Sequence, residues 1–377
     1  MIIENIKLKN WKNFASVDVD CGRRVFIIGP NAAGKSNFLD ALRFLKDVSQ
    51  HGLNKAVNDL RGGMKSVRYI GARKHPEIIV SVSLDNGWSY SLTFGGKSPS
   101  APEIVKEIVI DGNGKVILGR PDEEDRKDPP RKRQTALEQV NANKDFRMIA
   151  EFFSTIEYRH ILPQLVREPK SFSPNPIDND PFGRDLVFTI WKTPERTRKV
   201  RLKRINSVLK VAVPSFKDLR VVQDPKTGTP HFQVNYEHWR KNGAYQDESA
   251  FSDGTLRLLA LLWSLLDTGG PLLLEEPELS LHEDIVSRLP GFFTQVDREK
   301  KKAARQIFVT THADALLRDP GVGPKEVLRL LPNENGVNVV GATEEECNLI
   351  MESGLTVADV LLPQTRPANF GQMELSK

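Results

Sequence analysis

Gly29-Pro30-Asn31-Ala32-Ala33-Gly34-Lys35-Ser36 decides the reading of this chain because of what flanks it. Upstream, Val25-Phe26-Ile27-Ile28 is an apolar run of strand length. Downstream, Phe38, Leu39, Leu42, Leu45 and Val48 recur at helical spacing. Strand, glycine loop and helix thus follow in order, and the loop fits GxxxxGK[ST]. In that context the glycines let backbone N–H groups converge on an anion, and the helix N-terminus adds partial positive charge. Lys35 neutralises β- and γ-phosphate oxygens, and Ser36 offers a hydroxyl to Mg2+.

Three further stretches suit the same chemistry. Leu272-Leu273-Leu274 is an apolar strand ending in Glu275-Glu276, and two adjacent carboxylates there are costly to desolvate without a cation beside them. Metal-bound nucleotide supplies that cation. Side chains alternate along a strand, so one carboxylate can hold the Mg2+ hydration shell while the other aims at an attacking water. Phe251-Ser252-Asp253-Gly254-Thr255 sets an N-cap serine at the head of the apolar helix Leu256 to Leu266, making a second anion-binding turn. The strand Ile307-Phe308-Val309 runs through Thr310-Thr311 into His312, which is able to donate to phosphate.

Working outward, Ile2 to Leu8 and Val17 to Asp20 alternate apolar and polar residues and read as half-buried strands. Asn86-Gly87 and Asn113-Gly114 each join two alternating runs, a hairpin signal. Residues 120–133, RPDEEDRKDPPRKR, combine mixed charge with a Pro-Pro pair and read as a linker or exposed loop. From Gln134 to about Lys217 the pattern is mostly helical, broken by a proline-rich stretch at 171–183, and reads as an inserted subdomain. Within it Lys192, Arg196, Arg198, Lys199, Arg201, Lys203 and Arg204 face one acidic residue, Glu195. That run is either a DNA-binding face or the solvated side of a helix. The expected domain limits are 1–133, 134–217 and 218–340, with a tail at 341–377 whose apolar cluster includes Leu355, Val357 and Leu361.

A chain of 377 residues exceeds one ordinary core, so two domains or a large insertion are expected. Charged residues at 27% and hydrophobic ones at 39% exclude wholesale disorder and a membrane-embedded bundle. Lysine plus arginine exceed aspartate plus glutamate by 54 to 49, which permits an anionic partner without demanding one. Only two cysteines, Cys21 and Cys347, no apolar signal stretch and no run long enough to span a bilayer point to a cytoplasmic protein with no membrane partner.

GPNAAGKSN (29–37), FSDGT (251–255), LLLEEPELSLH (272–282) and TTH (310–312) resemble the phosphate loop, signature motif, Walker B with D-loop, and switch histidine of ABC-type ATPases. Within that class KLKNWKNF (7–14) and EEPELSLH are similar to the RecF/SMC/OLD branch of soluble DNA-associated ATPases. The resemblance covers roughly residues 1–120 and 240–330. It implies an α/β ABC-ATPase head with an N-terminal antiparallel β subdomain, a mainly parallel P-loop core sheet and an inserted helical subdomain. ATP and Mg2+ are the implied cofactors. By the resemblance Asn31, Ala33, Gly34, Lys35, Ser36 and Asn37 hold the nucleotide, Ser36 and Glu275 serve Mg2+, Glu276 polarises water, and His312 contacts the γ-phosphate. Ser252 and Gly254 act in trans on a second subunit's nucleotide, with Ser280 between them, which implies a homodimer closing around two ATP. Lys12 and Asn13 match positions that approach the nucleotide.

Two departures stand out. Glu275 replaces the commoner Asp at the Walker B metal position, and the Q-loop glutamine that serves the metal has three candidates, Gln134, Gln139 and Gln164, of which Gln139 is favoured. The hairpins after Ser36 leave no room for SMC-type coiled-coil arms, and the stretch after His312 lacks the DxD of the TOPRIM nuclease carried by OLD proteins. Asp18-Val19-Asp20 and Asp178-Asn179-Asp180 read as solvated surface. The implied function is a dimeric ATP switch that couples nucleotide state to DNA or to a separate effector nuclease in antiviral defence. A RecF-like repair ATPase and a nucleotide-gated scaffold with little turnover are the alternatives.

Overall fold

The computed structural model describes all residues except 73, 75, 97–100, 168–179, 238–243, 301–304, 335 and 367–377. Most of the proline-rich stretch, Asp178-Asn179 and the end of the tail therefore lie outside the described residues. In chain order the main elements are β1 (Ile3–Trp11), β2 (Phe14–Asp20), β3 (Arg24–Ile28), α1 (Lys35–His51), α2 (Leu53–Arg61), β4 (Ile78–Leu84), β5 (Ser89–Gly95), β6 (Glu103–Ile110) and β7 (Val116–Arg120). There follow α3 (Glu123–Lys127), α4 (Arg147–Ser154), β8 (Glu157–Arg159), α5 (Glu195–Ala212), β9 (Phe216–Gln223), β10 (Pro230–Tyr236), β11 (Ala244–Asp247) and α6 (Asp253–Leu266). The last are β12 (Leu272–Glu275), α7 (Glu283–Val286), α8 (Leu289–Lys300), β13 (Ile307–Thr310), β14 (Val327–Asn333), β15 (Gly336–Val340) and α9 (Glu344–Ser353), with shorter helical turns between. No described helix is long and apolar enough to cross a membrane. The chain divides into two compact units, 1–157 with 269–273 and 305–377, and 158–268 with 274–304.

The first unit holds an antiparallel sheet in the order β2-β1-β4-β5-β6-β7. Along β1 Ile6 and Leu8 alternate into the core, and a register shift between Ile3 and Asn5 and the left-handed Asn10 at φ 55° reset the period so that Ile3 and Trp11 are buried too. Both Asn-Gly pairs make the hairpins their sequence demands, with Gly87 at φ 79° and Gly114 at φ 80°. A second sheet runs β15-β14-β3-β13-β12-β8, with β3 parallel to both β13 and β14 and β15 antiparallel to β14. The buried amide of Gln306 ties the two strand systems, accepting from Ile3 N at 2.8 Å and donating to Ile3 O at 2.7 Å. Helix α1 buries Phe38, Leu39, Leu42, Phe44, Leu45 and Val48, each worth about 1.5–3 kcal/mol in transfer terms. Phe44 lies 5.2 Å from the rings of Trp11 and Phe94.

Residues 134–157 belong to this unit, so the expected limit at 133/134 does not coincide with the structural division. The cause is α4, which packs on α1. Its Phe153 ring meets Tyr90 edge-on at 5.7 Å, and Lys46 Nζ donates to Ile156 O at 2.6 Å.

Residues 120–133 are mostly exposed, as their charge suggests, but two of them turn inward. Arg120 and Asp125 are buried and α3 opens with a capping box on Asp122. Arg120 donates to Asp125 through Nε at 2.9 Å and Nη2 at 2.7 Å, to Glu107 Oε2 at 3.2 Å, and to the carbonyls of Gln134 and Arg131. Glu107, fully buried on β6, also accepts from Tyr90 Oη and from the N–H groups of Ala136 and Leu137. Two charges of a satisfied buried network thus sit within an otherwise solvent-facing run.

Beside it Glu138 accepts from Leu53 N at 2.9 Å at the start of α2, and burial pushes its carboxyl up to about 7. A raised folded-state value means that the protonated form supports the fold below the ordinary value of 4.5, and that this support is lost as pH rises through about 7. Glu138→Gln keeps the capping oxygen and removes the titration. Urea midpoints across pH 4 to 8 are expected to show wild type falling relative to the variant between those two values. Parallel curves would refute the assignment.

The second unit is built on α6, where every residue from Thr255 to Leu265 is buried, as befits a helix that is apolar nearly all round. Leu202, Ile205 and Leu209 of α5 share its core with Phe232, Val234 and Phe251. The antiparallel sheet β11-β10-β9 follows where the expected helical subdomain ends, at about 217. On α5 the basic run is partly committed within the unit. Arg201 pairs with Asp267 at 2.8 Å and stacks on Trp263, and Arg198 stacks on Trp191 at 4.6 Å and donates to its carbonyl. Lys199 pairs with Glu195 at 2.6 Å. Lys192, Arg196 and Lys203 remain exposed.

Candidate functional site

In the first unit β3 leads into the phosphate loop, where Ala32 has φ 63° and Gly34 φ 96°. A Cβ on Gly34 would lie 2.0 Å from Asn13 Nδ2, so only glycine fits. Asn13 donates from Nδ2 to Ala33 O at 2.7 Å and accepts from Asn37 Nδ2 at 2.9 Å, clamping both flanks of the loop. Trp11 Nε1 adds a bond to Asn37 O at 2.9 Å. Asn13 thus frames the loop.

Lys12 is placed otherwise. Its ammonium lies 2.6 Å from Asp40 Oδ2, one turn along α1 from Ser36. Burial pushes the Asp40 carboxyl up, but Arg61 and Lys12 outweigh it and hold the group below the usual carboxylate range.

Lys35 is buried. Its Nζ rests on Gly29 O at 3.2 Å and Pro30 O at 3.3 Å, and contacts His312 Nε2. The ammonium can only donate, so Nε2 is the accepting nitrogen of that pair. Residues so far apart in sequence meet because β13 lies parallel to β3, with Thr310 opposite Ile27. Ser36 is exposed at the head of α1 and Asn31 at the loop's tip. A cradle closed to any Cβ, with an ammonium resting on two carbonyls, fits a polyphosphate, whose oxygens are better partners for that ammonium than the carbonyls are.

The second unit holds the carboxylates and the signature turn. Glu275 closes β12 and accepts from Tyr158 Oη. Glu276 has φ 43°, a left-handed backbone that costs a residue other than glycine about 1–3 kcal/mol. Ser252 caps α6, accepting from Thr255 N at 3.2 Å. Gly254 admits no side chain because a Cβ would lie 2.6 Å from Ser280 O, so the D-loop residue packs on the signature turn of its own chain. Asp253 is held by Arg167 and lies 3.4 Å from Gln164 Nε2. Gln139 instead donates to Thr135 O within its own turn at 3.0 Å, and the carbonyl of Gln134 accepts from Arg120. Among the described residues no cluster of three or more His, Cys, Asp or Glu forms a metal cage. Mg2+ beside nucleotide needs none, since one or two side chains, phosphates and waters complete its shell.

Sequence reasoning missed Tyr158, which no spacing signals, and Arg257, hidden in an apolar helix. Arg257 is buried, with Nε and Nη1 lacking a hydrogen-bond partner among the described residues. Burial lowers its pKa against the opposing pull of Asp253, Glu278 and Glu276. A cation is therefore set between the signature turn and the acidic strand end of the same unit.

Residues 24–318, well over half the chain, match the family model described as "AAA domain, putative AbiEii toxin, Type IV TA system". An ATP/GTP phosphatase of Helicobacter pylori is 32% identical over 118 residues, 29% of this chain and 32% of that protein. Endonuclease GajA of Bacillus cereus is 35% identical over 88 residues, 23% of this chain and 14% of that one. The DNA replication and repair protein RecF of Lactobacillus gasseri is 34% identical over 85 residues, 22% and 23% of the respective chains. The chain spans about a third or less of the length of these curated relatives. An SMC head bound to the C-winged helix domain of ScpA superposes with a TM-score of 0.59 at 16% identity, over 92% of this chain and 99% of that one. The Smc head domain with an extended coiled coil, bound to the C-terminal domain of ScpA derived from Pyrococcus furiosus, gives 0.52 at 12%, over 93% and 99%. At those identities the likeness is one of fold, and the fold is the ABC-ATPase head that the motifs imply. The chain belongs to the AAA-domain family so described, within the RecF, SMC and OLD branch of ATPases.

Proposed function

We propose that this chain is a Mg2+-dependent ATPase that works as a head-to-tail dimer and passes its closed state to a separate effector, a nuclease, in antiviral defence. The observation that supports it best is the phosphate loop held open by Asn13, with Lys35 resting between two carbonyls and His312. Lys35 leaves those carbonyls for phosphate oxygens, which frees His312 Nε2, and that nitrogen donates to the terminal phosphate once the ring has taken up a proton there from solvent or changed tautomer. Ser36 and Glu275 would hold Mg2+, which neutralises phosphate charge when bound. Glu276 takes the proton of the attacking water. Ser252 and the N–H groups behind it serve the nucleotide of the second copy. GajA, an endonuclease by name, and the toxin–antitoxin description of the family support the effector context.

The test is steady-state phosphate release from ATP across a range of protein concentrations, with Mg2+ or EDTA and with or without duplex DNA. Mg2+-dependent release whose rate per chain rises with concentration is expected, since the site is complete only between two copies. A concentration-independent rate removes the dimer, and absence of release removes the enzyme. Strong stimulation by duplex favours the RecF-like alternative.

A further inference from the structure

Within the second unit a groove of about 700 Å3 runs between α5 and the α7–α8 pair, and a second hollow of about 270 Å3 shares Ser207, Val208, Phe292 and Gln295 with it. Its floor is apolar. Val208, Val211 and Ala212 line it from α5, and Ile285 and Phe292 from the opposite side. Val211 is 88% exposed, an apolar side chain left in water at the head of an open channel. Leu262 and Leu265 of α6 close the deeper end.

Gly291, in the first turn of α8, lines this groove, and a Cβ built on it meets nothing within 4 Å among the described residues. Its φ lies outside the left-handed region. Glycine is a poor helix former, and neither packing nor backbone geometry inside this chain calls for it here. The open space over this position leaves room for something outside the chain to approach closely.

The rim carries two arginines, Arg204 and Arg288, against one carboxylate, Asp284. Helix α5 behind the rim carries seven basic residues and one acidic one, Glu195. We infer that this groove seats an acidic amphipathic helix of a partner protein, its apolar stripe on Val208, Val211 and Phe292 and its carboxylates toward Arg204 and Arg288. The lining residues 204, 208 and 211 and 288, 292 and 295 repeat at helical spacing along two walls, the geometry of helix-in-groove recognition. A duplex would find cations on the rim but no reason for the apolar floor. The proposal rests on the effector reading above only for the partner's role; the seat itself is independent of nucleotide turnover.

The probe is a fluorescent 21-residue peptide of leucines at alternating three- and four-residue spacing with glutamates elsewhere, compared with the same peptide carrying lysines. Anisotropy is expected to show saturable binding of the acidic peptide and none of the basic one. Gly291→Leu, which fills the seat with a better helix former, and Arg288→Glu are each expected to weaken binding at least tenfold. The Gly291→Leu chain should keep the wild-type melting temperature and ATPase rate. Equal binding of both peptides, or acidic binding unaffected by Gly291→Leu in a folded chain, overturns the proposal. So does a 20-base-pair duplex that binds the wild type and is lost with the same variants. Loss of ATPase in the wild type would instead strike the function proposed above and leave the seat standing.

Discussion

The Glu276→Gln chain is expected to bind ATP and Mg2+ as wild type does and to release phosphate about 10²–10⁴ times more slowly, the usual worth of a positioned general base. Glutamine keeps the size of glutamate and its ability to orient water, and removes the proton acceptor. The backbone singles out this position. At φ 43° Glu276 turns off β12 in a strained conformation that the strand does not need, and the turn is pinned by Leu279 N donating to Glu276 O at 3.2 Å. With hydrolysis blocked, ATP should hold the closed dimer, seen as a doubling of mass by light scattering that reverses on removing Mg2+. A wild-type rate of phosphate release from the variant would show that the base lies elsewhere.

Arg120→Met should be the most destabilising single change in the first unit. The guanidinium serves two buried carboxylates and two carbonyls, and methionine replaces its volume while leaving Glu107 and Asp125 uncompensated. Breaking a buried pair from one side costs about 3–5 kcal/mol. Burial already pushes the Glu107 carboxyl up against the pull of its partners, and Arg120 is the first cause that holds Asp125 down to about 2. Without Arg120 both carboxyls are expected to bind protons more readily in the folded chain. Since a raised folded-state value supports the fold at low pH and fails as pH rises, the deficit should be smaller at pH 5 than at pH 7. Urea unfolding at the two pH values measures this. A loss under about 1 kcal/mol at pH 7 would mean that water already satisfies the carboxylates.

The phosphate loop, both hairpins, the capped signature helix and the acidic strand end were legible in the sequence because each rests on local chemistry. Gly34, Gly87 and Gly114 sit at positive φ, where the backbone itself selects the residue. Apolar runs bounded by turn residues mark β3, β12 and β13 without reference to their neighbours. Periodicity likewise placed α1 and α6.

What periodicity does not carry is partnership. Within the mostly exposed run at 120–133, Arg120 and Asp125 were not legible as buried because a charge looks the same in sequence whether water or a partner satisfies it; only the fold brings Glu107 to that guanidinium, with Tyr90 and the N–H of Ala136 on the same carboxylate. Lys12 and Asn13 are neighbours in one motif, yet the turn after β1 sends one to Asp40 and the other to the phosphate loop. Arg198 and Arg201 belong to a run that reads as either a DNA-binding face or the solvated side of a helix, and only the fold sets Trp191 and Trp263 against them. The sequence by itself determined which residues can meet phosphate, through turn geometry and residue chemistry acting over a few positions. Tertiary structure alone decided which charges are desolvated and paired, because burial depends on segments hundreds of residues apart, as when parallel pairing of β13 with β3 sets His312 against Lys35.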